Sequence, residues 1–463
     1  MQLQGPILAL AIAGCVPSRS AVFGPVDREI ERRIGVGAVW HENVDARVPG
    51  AITDLLAKPL DREAAIRIAL ATNRRLQANY DRLGIAASEI ASATVLAPLR
   101  VDVEYKLARG DQASETELDV IQDVLDLVQL PQRRGIARAD LAAARARAVA
   151  ATIELVARVE GAYIDLVAAQ QELELRQTAF DAAVASAEIA ERMHAAGNLP
   201  DLGLARERGQ REQARIDLAR AQIEAEVRRE AMNEVLGLSG DHTRWTVSAR
   251  LPDIPAAAPA LDTLERDAIA ASLDIAAVRA EAEAAAGRVG LARFRSVVPE
   301  LGIGVSADRK DGEWDFGPAI AIGLPLFDQG QGPRARANAE LRRAQNEAIA
   351  TAVELRALAR ATRQRVLGTY AEAKHLMEAV LPLRQHVLSE TLKQYNAMNA
   401  TTFELLVARR EIVDAGRQYI DALRRFWRAA AEARALARGA MPKLTMGSDE
   451  RAEPSRTASE EHR

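Results

Sequence analysis

At 463 residues, with 4% aromatic and 27% charged side chains, the chain is too poor in aromatics for a wide globular core and has the Ala, Arg, Glu and Leu balance of long helices. Its formal net charge of −4 excludes a global basic field, so no nucleic-acid partner is expected. Cys15 is the single cysteine, which excludes an intrachain disulfide and a cysteine metal cluster.

Cys15 ends the run Leu8-Ala9-Leu10-Ala11-Ile12-Ala13-Gly14. That run is too short to span a bilayer but fits the apolar region of a signal peptide. Ile12-Ala13-Gly14-Cys15 resembles a bacterial lipobox, although Met1-Gln2-Leu3-Gln4 lacks the usual Lys or Arg. Residues 1–14 are therefore expected to be a lipoprotein signal, with Cys15 the acylated lipid anchor. By the same resemblance Val16, in place of Asp, points to the outer membrane. No other stretch reaches the roughly 18 uninterrupted apolar residues of a membrane helix, so a membrane crossing must be a closed barrel.

Residues 15–59 carry Pro17, Pro25, Pro49 and Pro59 and read as an extended surface segment. Over 61–95 a helical period follows, in Ala65, Ile68, Ala69, Leu76, Tyr80 and Leu83; Thr72 and Asn73 interrupt it. From Leu99 the period becomes two. Val101, Val103 and Tyr105 alternate with Arg100, Asp102, Glu104 and Lys106, which is a strand with one apolar and one charged face. Ala108-Arg109-Gly110-Asp111 reads as its turn, and a partner strand is expected within 117–130, before Pro131. A helix is expected over about 136–195, roughly 90 Å at 1.5 Å per residue. Gly197-Asn198-Leu199-Pro200 breaks it, and Asp201 is expected to cap a helix ending before Gly237.

The order then repeats. A helix is expected over about 261–295, and strands over about 299–327 with a turn at Lys310-Asp311-Gly312. A long helix follows over about 333–396, then a break near Asn399 and a last helix over about 403–438. Ala137, Leu141 and Ala144 match Ala337, Leu341 and Ala344, an offset of 200 by subtraction (137 to 337). The chain thus reads as two tandem repeats, 60–240 (strands about 98–130) and 241–440, each helix, strand hairpin, very long helix, turn, helix. The charged stretch 441–463 reads as a disordered tail.

Four strands cannot close a barrel, since small barrels need about eight, so several chains must contribute to one. Here a resemblance can be named. Gly317-Pro318-Ala319-Ile320-Ala321-Ile322-Gly323-Leu324-Pro325-Leu326-Phe327-Asp328-Gln329-Gly330 resembles the second-repeat strand of the outer-membrane efflux protein family, the TolC-like channels. Ala196-Gly197-Asn198-Leu199-Pro200-Asp201 resembles its first hairpin tip, and Ala231-Met232-Asn233-Glu234-Val235-Leu236-Gly237-Leu238 the end of its first repeat. Phe403-Glu404-Leu405-Leu406-Val407-Ala408-Arg409, followed by Trp427, resembles its final helix. The resemblance covers about 60–438 and has the flavour of channels paired with heavy-metal resistance-nodulation-division pumps. It implies a mainly α fold with a small β part, a homotrimer, and a barrel of twelve strands (three copies of four) continuous with a periplasmic helical barrel. It implies a passive export duct for small solutes, metal ions or drugs, in the outer membrane of a Gram-negative bacterium. The implied partners are outer-membrane lipid, a periplasmic adaptor and an inner-membrane pump of that type.

By the same resemblance Glu404 is expected to ring the periplasmic gate, one carboxylate per chain, against the alternative of a solvated helix residue. Val407 and Ala400 stand where relatives carry an acid and an Arg, so a two-ring, salt-bridged gate is not implied. Gly197, Asn198, Asp201, Met398 and Asn399 are expected at the adaptor-docking tips. Met193, His194 and Met398 are soft or imidazole side chains beside the tips and read as packing and surface residues, so no metal site is expected. No pair of the six histidines has ligand spacing on a helix, and no nucleophile, acid–base pair or phosphate loop appears, so neither an enzyme nor a cofactor is expected. The rival reading is a helical coiled-coil scaffold, which has no use for the alternating strands.

Overall fold

The computed structural model describes residues 18–37, 52–106, 115–247, 250–310, 313–325 and 327–442. The signal and anchor expected at residues 1–15 and nearly all of the charged tail lie outside these residues. Within 15–59 the structure corrects the expectation of an extended segment: α1 runs Arg19–Ile34 with Pro25 inside it. Val22, Val26 and Ile30 recur every four residues and are buried, and that apolar stripe outweighs one missing N–H. Gly35 ends the helix with φ 72°.

The first repeat opens with α2 (Arg62–Thr72) and α3 (Arg74–Thr94), two helices where one was expected. Asn73 separates them because its side chain accepts from the Leu76 N–H at 3.1 Å, capping the second helix. Strands β1 (Arg100–Lys106) and β2 (Glu115–Asp123) follow. β2 stops before the expected limit of 130 because Asp123 accepts from the Leu125 N–H at 2.8 Å, which opens α4. That helix, Leu125–Ala195, absorbs Pro131 in its second turn and has 71 residues, about 107 Å long. α5 (Asp201–Leu236) returns beside it.

The second repeat has α6 (Leu264–Ala271) and α7 (Leu273–Val297), again divided by a cap, here Ser272 accepting from the Ile275 N–H at 3.1 Å. Strands β3 (Leu301–Lys310) and β4 (Glu313–Ile322) lead to α8 (Gln331–His375). The single helix expected over 333–396 is interrupted by a π turn, Leu376–Val380, before α9 (Leu381–Asn396). Pro382 follows that wide turn, which relieves the clash its ring would make with the preceding turn. α10 (Thr402–Ala437) completes the chain.

The four strands form one antiparallel sheet in the order β1-β2-β3-β4, so the hairpins of the two repeats join through β2 and β3. β1 and β4 are left as edges. Close approach of β2 and β3 depends on Gly304, where a Cβ would fall 2.0 Å from the Val120 carbonyl oxygen. Beside the sheet the core is helical. Tyr80 is buried and shares a 2.9 Å hydrogen bond with Thr152, while the Phe426 ring packs tilted against Tyr370, centroids 5.9 Å apart. Two buried carboxylates on α4 are matched from α10: Arg434 donates to Glu160 at 2.9 Å and Arg428 to Asp165 at 2.6 Å. The repeats also share a detail of their cores. Tyr163 donates to the Leu60 carbonyl at 3.4 Å, and Tyr370 to the Ala256 carbonyl at 3.2 Å.

Candidate functional site

The sheet has two chemically opposite faces. In register, Val103, Leu118, Ala307 and Phe316 form one row across all four strands, and Val101, Val120, Val305 and Pro318 form another on the same face. Val103 is 65% exposed and Phe316 73%, so this apolar face is uncovered within the protomer. On the other face Glu104, Glu117, Asp308 and Asp315 fall in a single row. Four carboxylates side by side repel one another and require water. At the strand ends nearest the β3–β4 turn the charges alternate instead, and Lys310 pairs with Glu115 at 2.6 Å. One face thus suits lipid and the other an aqueous space. No helix among the described residues is long and apolar enough to cross a membrane.

At the far end of the long helices are two tips. The first joins α4 to α5. Gly197 has φ 75°, and the Asn198 N–H donates to the Met193 carbonyl at 2.9 Å. Asp201 is the first residue of α5 rather than its cap, a position Pro200 holds. Its carboxylate lies 3.4 Å from His194 Nε2, and His194 Nδ1 is 2.8 Å from the Leu199 carbonyl oxygen. In the second tip, between α9 and α10, Met398 stands where the first has Gly197, an offset of 201 (197 to 398). Met398 keeps the left-handed conformation, φ 61°, without glycine's freedom, and is 94% exposed. The Asn399 N–H donates to the Gln394 carbonyl at 2.8 Å. The tips lie side by side, since Arg206 of α5 stacks over Phe403 of α10 at 5.4 Å. The structure thus groups Gly197, Asn198 and Asp201 in one turn and Met398 and Asn399 in its neighbour.

Glu404 has a local partner that the reading of the sequence overlooked. Thr401 accepts from the Glu404 N–H, while the Glu404 carboxylate accepts from the Thr401 N–H at 2.7 Å and its hydroxyl at 2.9 Å. This is a capping box, and Thr401-Thr402-Phe403-Glu404 carries its sequence pattern. The Thr401 backbone N–H, and then its hydroxyl, hold the Glu404 carboxyl below the usual carboxylate range. Among the described residues no group of three or more His, Cys, Asp or Glu is arranged to hold a metal ion.

No protein-family model matches the chain. It is 28% identical over 388 residues to the cobalt-zinc-cadmium resistance protein CzcC of Cupriavidus metallidurans, covering 81% of this chain and 89% of that protein. The Campylobacter jejuni CmeC outer membrane channel superposes with a TM-score of 0.70 at 13% identity, over 83% of this chain and 87% of its own. The outer membrane protein VceC of Vibrio cholerae superposes with a TM-score of 0.65 at 19% identity, over 87% and 98%. At these identities the likeness to the solved channels is one of fold. The chain is similar to CzcC along most of its length and has the fold of outer-membrane channels.

Proposed function

We propose that the protein is the outer-membrane duct of a tripartite efflux pump. The observation that carries this reading is the sheet: four antiparallel strands with both edges open, one apolar face and one acidic face, attached to long helices of which α4 alone runs about 107 Å. Such a sheet is stable in a bilayer only when other copies close it. The strand directions allow β4 of one copy to pair antiparallel with β1 of the next, a head-to-tail contact that generates a ring. Three copies give twelve strands, with the helices continuing as a periplasmic tube. The duct makes and breaks no bonds. A coiled-coil scaffold leaves the sheet without a use.

On this reading Cys15 carries the lipid anchor, and the tips at Gly197, Asn198, Asp201, Met398 and Asn399 meet a periplasmic adaptor that links the duct to an inner-membrane pump. Glu404, at the start of α10, contributes one carboxylate per copy to the periplasmic gate while also closing its cap. The similarity to a cobalt-zinc-cadmium resistance protein supports divalent transition-metal ions as the cargo of the pump it serves. The test is reconstitution. Purified protein is expected to migrate as a trimer until heated and to give discrete conductance steps in planar bilayers. A monomer that leaves the bilayer silent overturns the reading. Loss of resistance to cobalt, zinc and cadmium on deletion, with unchanged tolerance of organic toxins, tests the cargo.

A further inference from the structure

A groove of about 860 Å³ runs along α4 between α5 and α10, above the tips. Ala179, Ala183 and Ala214 line it with Ile412 and Val413. At the end nearer the tips it meets Glu207, which is only 4% exposed. The Glu207 Oε2 has no hydrogen-bond partner among the described residues. A buried carboxylate oxygen without a partner is costly, and beside the alanine floor of this groove, whose rim carries charged side chains of both signs, it marks an acceptor for something not part of the chain.

The neighbouring cations do not meet that need. Arg409 donates to the Ser186 hydroxyl at 3.1 Å, Arg410 lies 3.7 Å from Asp414, and Arg176 lies 3.7 Å from Asp217. Arg417 lines the opposite end. Counted from the tips, Glu207 is 10 residues on (197 to 207) and Arg417 is 19 (398 to 417), a separation of about 13 Å along the axis. The shape and the orphan acceptor belong to the single protomer, so the inference goes beyond the duct reading.

We propose that this groove binds a small amphipathic amine, with its ammonium group on Glu207 and its apolar body along the alanine floor. Such a molecule supplies the missing donor and covers the aliphatic walls.

The probe is dansylcadaverine, a primary amine on an apolar chain whose emission rises on leaving water. Its N-acetylated form keeps the body and loses the charge. With full-length protein in lipid nanodiscs, the amine is expected to bind saturably and the acetylated form about tenfold more weakly or worse. Glu207→Gln is expected to lower affinity for the amine by a similar factor and to leave the acetylated form unchanged. Ala183→Trp, which fills the groove, is expected to remove saturable binding of both. Heat-sensitive trimer migration identifies variants that assemble, and if Ala183→Trp does not, the two probes and Glu207→Gln still decide. Equal binding of the two probes, no effect of Glu207→Gln, or no saturable signal overturns the proposal. Conductance of the wild-type protein is read separately, so a silent bilayer with intact binding counts against the duct and not against the groove.

Discussion

Gly439 turns beneath Ala271 with φ 96°, so tightly that a Cβ there would fall 2.1 Å from the Ala271 carbonyl oxygen. The Leu273 N–H donates to the Gly439 carbonyl at 2.8 Å across the same junction. The first repeat has the counterpart. Gly237 has φ 71°, a Cβ would lie 3.0 Å from the Thr72 carbonyl oxygen, and Asn73 donates its side-chain amide to the Val235 carbonyl at 2.9 Å. In both repeats the end of the last helix is thus fastened to the break between the first two. Arg33 of α1 adds a clamp to the second junction, donating to the Ala271 carbonyl at 2.8 Å and to the Arg438 carbonyl at 2.5 Å.

Gly439→Ala combines a disallowed backbone angle with a collision against backbone and is expected to destabilise the protein by about 1–3 kcal/mol. Gly237→Ala meets only the milder contact and is expected to cost roughly 1 kcal/mol. Thermal melts of helical circular dichroism rank the two. The opposite order contradicts the geometry at these junctions.

Cap and charge are separable at Glu404. Glu404→Gln retains a side-chain acceptor for Thr401 but removes the charge, whereas Thr401→Ala keeps the charge and loses the cap. Glu404→Gln is expected to lower cation selectivity and cation block in bilayers, and Thr401→Ala to loosen the first turn of α10. The carboxyl pKa is depressed in the folded state by the Thr401 donors. Its stabilising contribution is therefore present above the unfolded carboxyl value, about 4.3, and is lost as pH falls through the folded one. Amide-exchange protection of residues 402–405, corrected for intrinsic rates, should fall over that acidic window in the wild type and stay flat in Glu404→Gln. Unchanged selectivity in Glu404→Gln channels removes the gate role and leaves the cap standing.

Met398→Gly releases a bulky side chain from a left-handed backbone and is expected to raise stability by about 1 kcal/mol. If the exposed thioether makes a docking contact, the same change lowers efflux in cells while the melting temperature rises. A rise in both leaves Met398 without a docking role.

On the sheet, Val103→Arg sets a charge into the apolar row and is expected to cost about 2–4 kcal/mol near the bilayer midplane, visible as loss of heat-sensitive trimer from outer membranes. Glu104→Arg adds an opposite charge to the acidic row and is expected to insert normally. Glu117→Gln relieves repulsion from Glu104 and Asp308, its neighbours in register, but gives up the 3.8 Å pair with Lys106, so the sheet's stability is expected to change by less than about 0.5 kcal/mol. Equal insertion of Val103→Arg and Glu104→Arg rules out a lipid-facing strand.

Much of this was legible in the residues because the physical signal was periodic. Alternation through Val101, Asp102, Val103 and Glu104 marked β1 as two-faced, and glycine with proline marked the first tip. Boundaries fared worse, since they depend on single caps: Asp123 ends β2 and Ser272 divides α6 from α7. The prolines of the N-terminal segment drew attention from the stripe Val22, Val26 and Ile30. Thr401 and Glu404 stood three apart in plain view, yet a functional reading of Glu404 hid the local one. The acidic row was beyond reach, because Glu104, Glu117, Asp308 and Asp315 become neighbours only when three strand registers are known.

The π turn at Leu376–Val380 gives the duplication a mechanical meaning. In the first repeat one helix of 71 residues runs from sheet to tip without interruption. In the second the same span is divided between α8 and α9, and the turn between them lacks the regular hydrogen-bond spacing that stiffens a helix. A bending load therefore meets a weak section midway along the second copy, whereas in the first the nearest irregularity is Pro131, close to the sheet. Two halves with the same order of elements thus differ as a strut differs from a jointed arm.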